Sequence, residues 1–234
     1  MSPRKSTAQG FRAPFLIVNP KSYLYGRASL DLALHCDEVA ASHDVDVIFT
    51  AQHADLRLIA ERTSHLWVTA QHMDGIVPGR GMGRILPESL VDAGARAVVL
   101  NHAEHPLAFA ELDAAITRAR EVGLMSIVCA DTDAQCRAIA SMGPDVMICE
   151  PTANIGTGEV VSEEYVDRTL RIVREVDPRI LVIEAAGVND ADDVARVLRQ
   201  GADGSGGTSS IVKAQNPQQV VDQMVAAVAA AREA

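Results

Sequence analysis

Short apolar runs and longer helical patterns take turns along the whole chain, and this alternation constrains the fold more than any other feature. The runs Phe15–Asn19, Val45–Phe49, Leu66–Ala70, Ala97–Asn101, Met125–Ala130, Asp145–Cys149 and Ile180–Glu184, with a weaker one near Ala202–Gly206, have strand length and carry β-branched residues. Helical patterns follow over Ser29–Ser42, Ala54–Arg62, Pro87–Ala93, Leu107–Val122, Asp133–Ser141, Ser162–Val176, Asp190–Arg199 and Pro217–Arg232. Several open on Ser, Asp or Pro, the residues that helix N-termini prefer. Repeated strand–helix units imply a parallel sheet with its helices outside. Eight of them in 234 residues match the arithmetic of a (β/α)8 barrel. An open doubly wound sheet is the competing architecture, but no Gly-x-Gly-x-x-Gly follows the first run. No linker or composition break divides the chain. One α/β domain is therefore expected over residues 13–234, after a loose polar tail over residues 1–12.

Aromatic residues make up only 3% of a chain that is 48% hydrophobic, so the core must be built from Ala, Val, Ile and Leu. A formal charge of −10 makes the protein a poor candidate for coating nucleic acid or an anionic membrane. Local backbone N–H groups can still hold a small anion. The apolar stretch from Phe15 to Val18 is too short for a signal peptide or a membrane helix. The four cysteines, Cys36, Cys129, Cys136 and Cys149, form no Cys-x-x-Cys pair and no Cys/His cluster with metal spacing. They are expected to be buried or neutral thiols in a reducing, cytoplasmic compartment, with no metal implied.

The chemistry concentrates where the runs end. The sixth run delivers Glu150, followed at once by Pro151 and then by a stretch ending Gly156-Thr157-Gly158. A carboxylate at a strand end beside a hinged, glycine-tipped loop suits a general base working under a lid, although an ordinary strand–helix loop with an exposed Glu has the same appearance. The first run ends Asn19-Pro20-Lys21 and the fourth Asn101-His102-Ala103-Glu104. The region after the eighth reads Gly204-Ser205-Gly206-Gly207-Thr208-Ser209-Ser210. In such a barrel the active site forms from the loops at the C-terminal strand ends, so a lysine, a histidine and a carboxylate converge on one rim with two glycine-rich anion loops. Any one of these residues alone has a plain structural explanation; their joint occurrence at three strand ends is the signal.

These segments resemble the signatures of the triosephosphate isomerase family, most closely its shorter archaeal-type branch. Ala70-Gln71-His72, Leu86-Pro87-Glu88, Gly123-Leu124-Met125 with Ile127-Val128-Cys129, and Val212-Lys213-Ala214 resemble that branch too, so the similarity spans nearly the whole chain. The resemblance implies a TIM barrel that interconverts an aldose and a ketose phosphate through an enediol(ate), with no cofactor. Glu150 would be the base, His102 a neutral hydrogen-bond donor to the reacting oxygens, and Lys21 the fixed positive charge. Asn19 would orient that lysine and Glu104 would pair with it. Gly156, Ala186, Gly187, Thr208 and Ser209 would surround the phosphate. The family also implies a homo-oligomer, a dimer or a tetramer.

The chain departs from the family pattern around the phosphate. Ala103 stands where serine is usual, and the lid residues Thr152-Ala153-Asn154 differ from the usual run. Glu184 brings an acid toward a strand end that normally lacks one, where it would repel a phosphate unless its side chain turns away or binds the lid backbone. Ala185 adds bulk there. Ser205-Gly206-Gly207 replaces apolar residues and is expected to leave extra space beside the phosphate site. Triose phosphate is the leading substrate. Alternatives are another short sugar phosphate, such as a tetrulose phosphate, and a barrel that binds a phosphorylated ligand without turning it over. A pure binder, however, has no need of a base.

Overall fold

Eight parallel strands close on themselves in chain order: β1 (Phe15–Val18), β2 (Val47–Ala51), β3 (Leu66–Ala70), β4 (Ala97–Leu100), β5 (Met125–Ala130), β6 (Val146–Cys149), β7 (Leu181–Ile183) and β8 (Gly204–Gly207). This (β/α)8 barrel is seen in a computed structural model that describes residues 5–154 and 162–233. Around it run α1 (Gly26–His43), α2 (Leu56–Ala60), α3 (Pro87–Asp92), α4 (Phe109–Val122), α5 (Asp133–Ala140), α6 (Glu163–Val176), α7 (Ala191–Arg199), α8 (Ser209–Val212) and α9 (Pro217–Glu233). The short helix α8 is absent from the sequence reading, and β8 lies two residues later at its start than expected.

Side chains alternate between the two faces of each strand. Phe15, Ile17, Ile48, Trp67, Val99, Ile127, Ile148 and Ile183 fill the barrel interior. Leu16, Val18, Val47, Val68, Val128, Met147 and Val182 face the helices in a second, larger core. Of the segment expected to be a loose tail, residues 5–12 are described. Phe11 within it is fully buried at the bottom of the barrel, its ring edge-on to Phe15 at 4.5 Å and to Trp67 at 4.8 Å. Arg96 stacks over Trp67 at 3.6 Å from below. Arg232 on α9 donates to the carbonyls of Pro14 at 2.8 Å and Arg12 at 3.1 Å, which ties the last helix to the entry of β1.

The seam between β1 and β8 corrects one expectation. Gly204 and Gly206 do face the interior, but they leave no spare volume there. A Cβ on Gly204 would lie 2.4 Å from the ring of Phe15, and one on Gly206 would lie 1.9 Å from the carbonyl oxygen of Ile17. Phe15 and Ile17 are the register partners of these two glycines. The strand is glycine-rich because a large ring and a neighbouring backbone already occupy the space.

Candidate active site

All the strand-end polar residues named above, apart from Gly156, which lies outside the described residues, fall at one end of the barrel. A cavity of about 260 Å³ gathers Asn19, Lys21, His102, Glu104, Glu150, Ala186, Gly187, Thr208 and Ser209.

Lys21 has a left-handed backbone, φ 48°, which a non-glycine residue adopts only when its surroundings enforce it. They do so here. The Asn19 side-chain oxygen accepts the Lys21 N–H at 3.0 Å and is itself held by the Thr50 hydroxyl at 2.6 Å. The Lys21 carbonyl accepts from Gln71 at 2.9 Å and from Gln52 at 3.2 Å. Asn19 thus fixes the lysine through its backbone. Thr50, Gln52 and Gln71 come from the ends of β2 and β3, and the sequence reading gave them no role. The signal that found Asn19, a polar residue at the end of an apolar run, also marks them. The Lys21 ammonium lies 2.6 Å from Glu104 Oε1. That bond, above all, keeps the Glu104 carboxyl below its usual range.

Asn101 also sits at positive φ, 58°, a conformation asparagine tolerates better than most residues. Its side chain donates to the Cys129 carbonyl at 3.0 Å and accepts from the Leu107 N–H at 3.0 Å. The resulting turn presents His102. The backbone N–H of Glu104 donates to His102 Nδ1 at 3.1 Å. A nitrogen that accepts carries no proton, so this contact selects the neutral tautomer with its hydrogen on Nε2. Burial, reinforced by Lys21, lowers the His102 pKa and favours the same neutral form. His102 Nε2 faces Glu150 Oε1 at 3.8 Å.

Glu150 follows directly on β6, on the inward side set by Val146 and Ile148. Its side chain is only 15% exposed. Burial raises its pKa, with Lys21 opposing the shift and Glu104 adding to it. A raised pKa makes the carboxylate a stronger base. Ala103 lines a second cavity of about 190 Å³ beside Glu150, together with Asp131 and Gln135.

Glu184 turns away from the cavity. Leu181 and Ile183 point inward, so residue 184 must point outward, and it is fully buried against α6. Its Oε1 lies 2.7 Å from the Thr169 hydroxyl, which also sits 3.0 Å from the carbonyls of Tyr165 and Val166. Burial pushes the Glu184 pKa well up, with the hydrogen bond from the Thr169 hydroxyl opposing the shift. The acid therefore points into the helix layer and away from a ligand in the cavity. Ala185 does line the cavity, beside Ala186 and Gly187.

Fold and site together define a (β/α)8 barrel that gathers a lysine, a histidine and two carboxylates in one cavity at its strand ends. Comparison with known proteins narrows the class. The sequence profile described as triosephosphate isomerase matches residues 14–227. The triosephosphate isomerase of Methanocaldococcus jannaschii is 33% identical over 215 residues, covering 90% of this chain and 98% of its own. Those of Sulfurisphaera tokodaii and Methanosarcina barkeri are 31% and 32% identical, covering 92% and 91% of this chain and 95% and 97% of theirs. The chain belongs to the triosephosphate isomerase family.

Proposed function

We propose that this protein interconverts dihydroxyacetone phosphate and glyceraldehyde 3-phosphate. One observation carries the reading: the Glu150 carboxylate and the Nε2 of a neutral His102 face each other at 3.8 Å in a cavity that also holds Lys21. Glu150 removes a proton from the hydroxymethyl carbon beside the carbonyl. The electron pair forms the carbon–carbon double bond of an enediolate, and the carbonyl oxygen gains the negative charge. His102 Nε2–H and the Lys21 ammonium stabilise that oxygen, an arrangement in which each such donor is worth about 3–4 kcal/mol of barrier. His102 transfers the hydroxyl proton from one oxygen to the other, and Glu150 returns its proton to the former carbonyl carbon. The reaction balances with these side chains alone.

The phosphate is held by backbone N–H groups at Gly187 and at Thr208–Ser209, which line the cavity. A four-carbon substrate is not favoured. The volume it would need at β8 is filled by Phe15 and Ile17, and the relatives above are named triosephosphate isomerases. We further propose a homo-oligomer, supported by the loop between β3 and α3, where Val77 and Met82 stand exposed. Among the described residues no helix is long and apolar enough to cross a membrane. Four free, buried cysteines fit a reducing cytoplasm.

A coupled assay with triose and tetrulose phosphates tests the substrate assignment. The triose should be preferred by about 10²-fold or more in kcat/KM, the scale on which a filled pocket rejects added bulk. Equal turnover of the two, or none of the triose, overturns it.

A further inference from the structure

Two thiols meet directly behind Glu150. Cys149 is the last residue of β6, and Glu150 follows it. Met147 and Cys149 both face the helix layer, so the Cys149 side chain lies outside the barrel wall while Glu150 reaches the cavity. Cys136 sits in the first turn of α5, the helix packed over this strand end. Both residues are fully buried, both are free thiols, and their sulfurs lie 3.7 Å apart. The other two cysteines stand elsewhere. Cys129 faces the barrel interior, and Cys36 is on α1.

Their surroundings distinguish the two thiols. The free amides at the start of α5 place partial positive charge near Cys136, which favours its thiolate. The hydrogen bond with Cys149 lowers the Cys136 pKa, against burial. The same contact, together with burial, raises that of Cys149, and the Glu184 carboxyl at the end of β7 adds to the rise. Cys136 is thus the nucleophile of the pair and Cys149 the thiol that resolves it. The cavity lined by Ala103, Asp131 and Gln135 also reaches the neighbours of both, Gln135 before Cys136 and Glu150 after Cys149. Hydrogen peroxide is little larger than water and fits such a space. A local opening at the start of α5 then exposes the sulfurs to it.

We propose that Cys136 and Cys149 form a reversible disulfide on exposure to hydrogen peroxide, and that this bond displaces Glu150 and switches the site off. The Cys136 thiolate attacks one peroxide oxygen; a sulfur–oxygen bond forms, the oxygen–oxygen bond breaks, and the leaving hydroxide departs as water with the thiol proton. Cys149 then attacks the sulfenic sulfur; the sulfur–sulfur bond forms, the sulfur–oxygen bond breaks, and a second water carries off the Cys149 proton. Two thiols are oxidised to one disulfide, and one peroxide is reduced to two waters. Bonded sulfurs stand about 2.05 Å apart, so these must approach by roughly 1.6 Å. Movement of Cys149 drags Glu150, whose N–H is bonded to the Ala130 carbonyl at 3.0 Å. Movement of α5 pulls Gln135, whose Oε1 accepts the Asp131 N–H at 2.8 Å, and Asp131 in turn accepts the Thr152 N–H at 3.1 Å. Either shift disturbs the segment that carries the base, and a misplacement of about 1 Å costs on the order of 10²-fold in rate.

The loss of turnover rests on the isomerase reading, whereas the bond itself does not, so the two are measured separately on the whole protein. After peroxide treatment, tandem mass spectrometry should find Cys136 linked to Cys149; cleavage before Asp131 and Asp133 separates Cys136 from Cys129. The kcat for triose phosphate should fall by about tenfold or more and return with dithiothreitol. Cys136→Ser and Cys136→Ala should keep kcat within about threefold of the reduced parent and lose the reversible inactivation. Cys149→Ser removes the resolving thiol and should accumulate a sulfenic acid on Cys136, trapped as its dimedone adduct. Thiols that stay reduced at 136 and 149, or a complete disulfide with unchanged kcat, overturn the proposal. So does equal inactivation of parent and Cys136→Ser, which would place the damage at Cys129 or elsewhere. A parent that forms the bond yet turns over no triose phosphate refutes the proposed reaction and leaves the disulfide standing.

Discussion

Replacing Gly206 with alanine would set a methyl carbon 1.9 Å from the carbonyl oxygen of Ile17, at a backbone φ of +153°. Carbon and oxygen need more than 3 Å, and both atoms here belong to the main chain, so neither can rotate aside. β1 and β8 must separate by about 1 Å or more. That movement breaks the ladder around Leu16–Ser205, Ile17–Gly206 and Val18–Gly207, together with the bond from the Asn19 N–H to the Gly207 carbonyl at 3.1 Å. Losing two or three such hydrogen bonds, at about 1 kcal/mol each, plus about 1–2 kcal/mol for an L side chain at positive φ, gives a loss of roughly 4 kcal/mol. For a domain of this size, that is a melting temperature lower by about 8–16 °C. Gly207→Ala meets only the Ser210 hydroxyl, at 2.6 Å, and a rotated serine relieves it, so it should cost about 1 kcal/mol or less. Gly204→Ala pushes on the Phe15 ring at 2.4 Å and should fall between, at about 1–3 kcal/mol. Phe15→Leu shortens that ring and should rescue part of the Gly204→Ala defect, with a coupling of about 1 kcal/mol or more. Urea unfolding followed by circular dichroism reads the whole series. A Gly206→Ala protein within about 1 kcal/mol of the parent would refute the packing argument for β8.

The remaining predictions concern charge. The acid limb of kcat/KM should lie above the ordinary carboxylate range, because burial raises Glu150 and activity is lost as pH falls through that raised value. Since Lys21 opposes the shift, Lys21→Met should move the limb still higher, and an unmoved limb would contradict the assignment. Lys21→Met should also harm both KM and kcat, whereas His102→Gln should lower kcat by about 10²–10³-fold with little change in KM; changes confined to KM in both variants would refute the electrophilic roles. Burial holds the Glu184 pKa well above its ordinary value when folded, whereas the unfolded chain ionises at the ordinary carboxylate value. Its contribution to stability therefore falls with rising pH between those two values, by about 1.4 kcal/mol per pH unit. Glu184→Gln removes that slope, so unfolding curves of variant and parent should differ least near pH 4 and favour the variant by pH 8. Parallel profiles would mean that Glu184 is ionised in the fold.

The barrel was legible because its interior and exterior cores both come from period-two apolar runs, and strands β3 and β5 begin and end where those runs do. Lys21, His102, Glu104 and Glu150 share one cavity because each ends a strand of a parallel barrel, and topology alone brings such ends together. The outward turn of Glu184 was also within reach of the sequence: continuing the alternation from Leu181 and Ile183 assigns it to the helix side. The occupancy of the glycine seam was not, since it depends on the β1–β8 register, which places Phe15 opposite Gly204 across the full length of the chain. Nor was the tautomer of His102, which is fixed by a single backbone N–H in the turn after β4.

Proton transfer through Glu150 is the central claim, and isomerisation in deuterium oxide followed by NMR tests it most directly. The parent should convert dihydroxyacetone phosphate to glyceraldehyde 3-phosphate with solvent deuterium at the carbon that receives the returned proton. Glu150→Gln, which keeps the shape of the site and should still bind phosphate, should lower that turnover by about 10²–10⁴-fold or more. Undiminished deuterium incorporation by Glu150→Gln, or a parent that leaves the triose phosphate unchanged, would contradict the account.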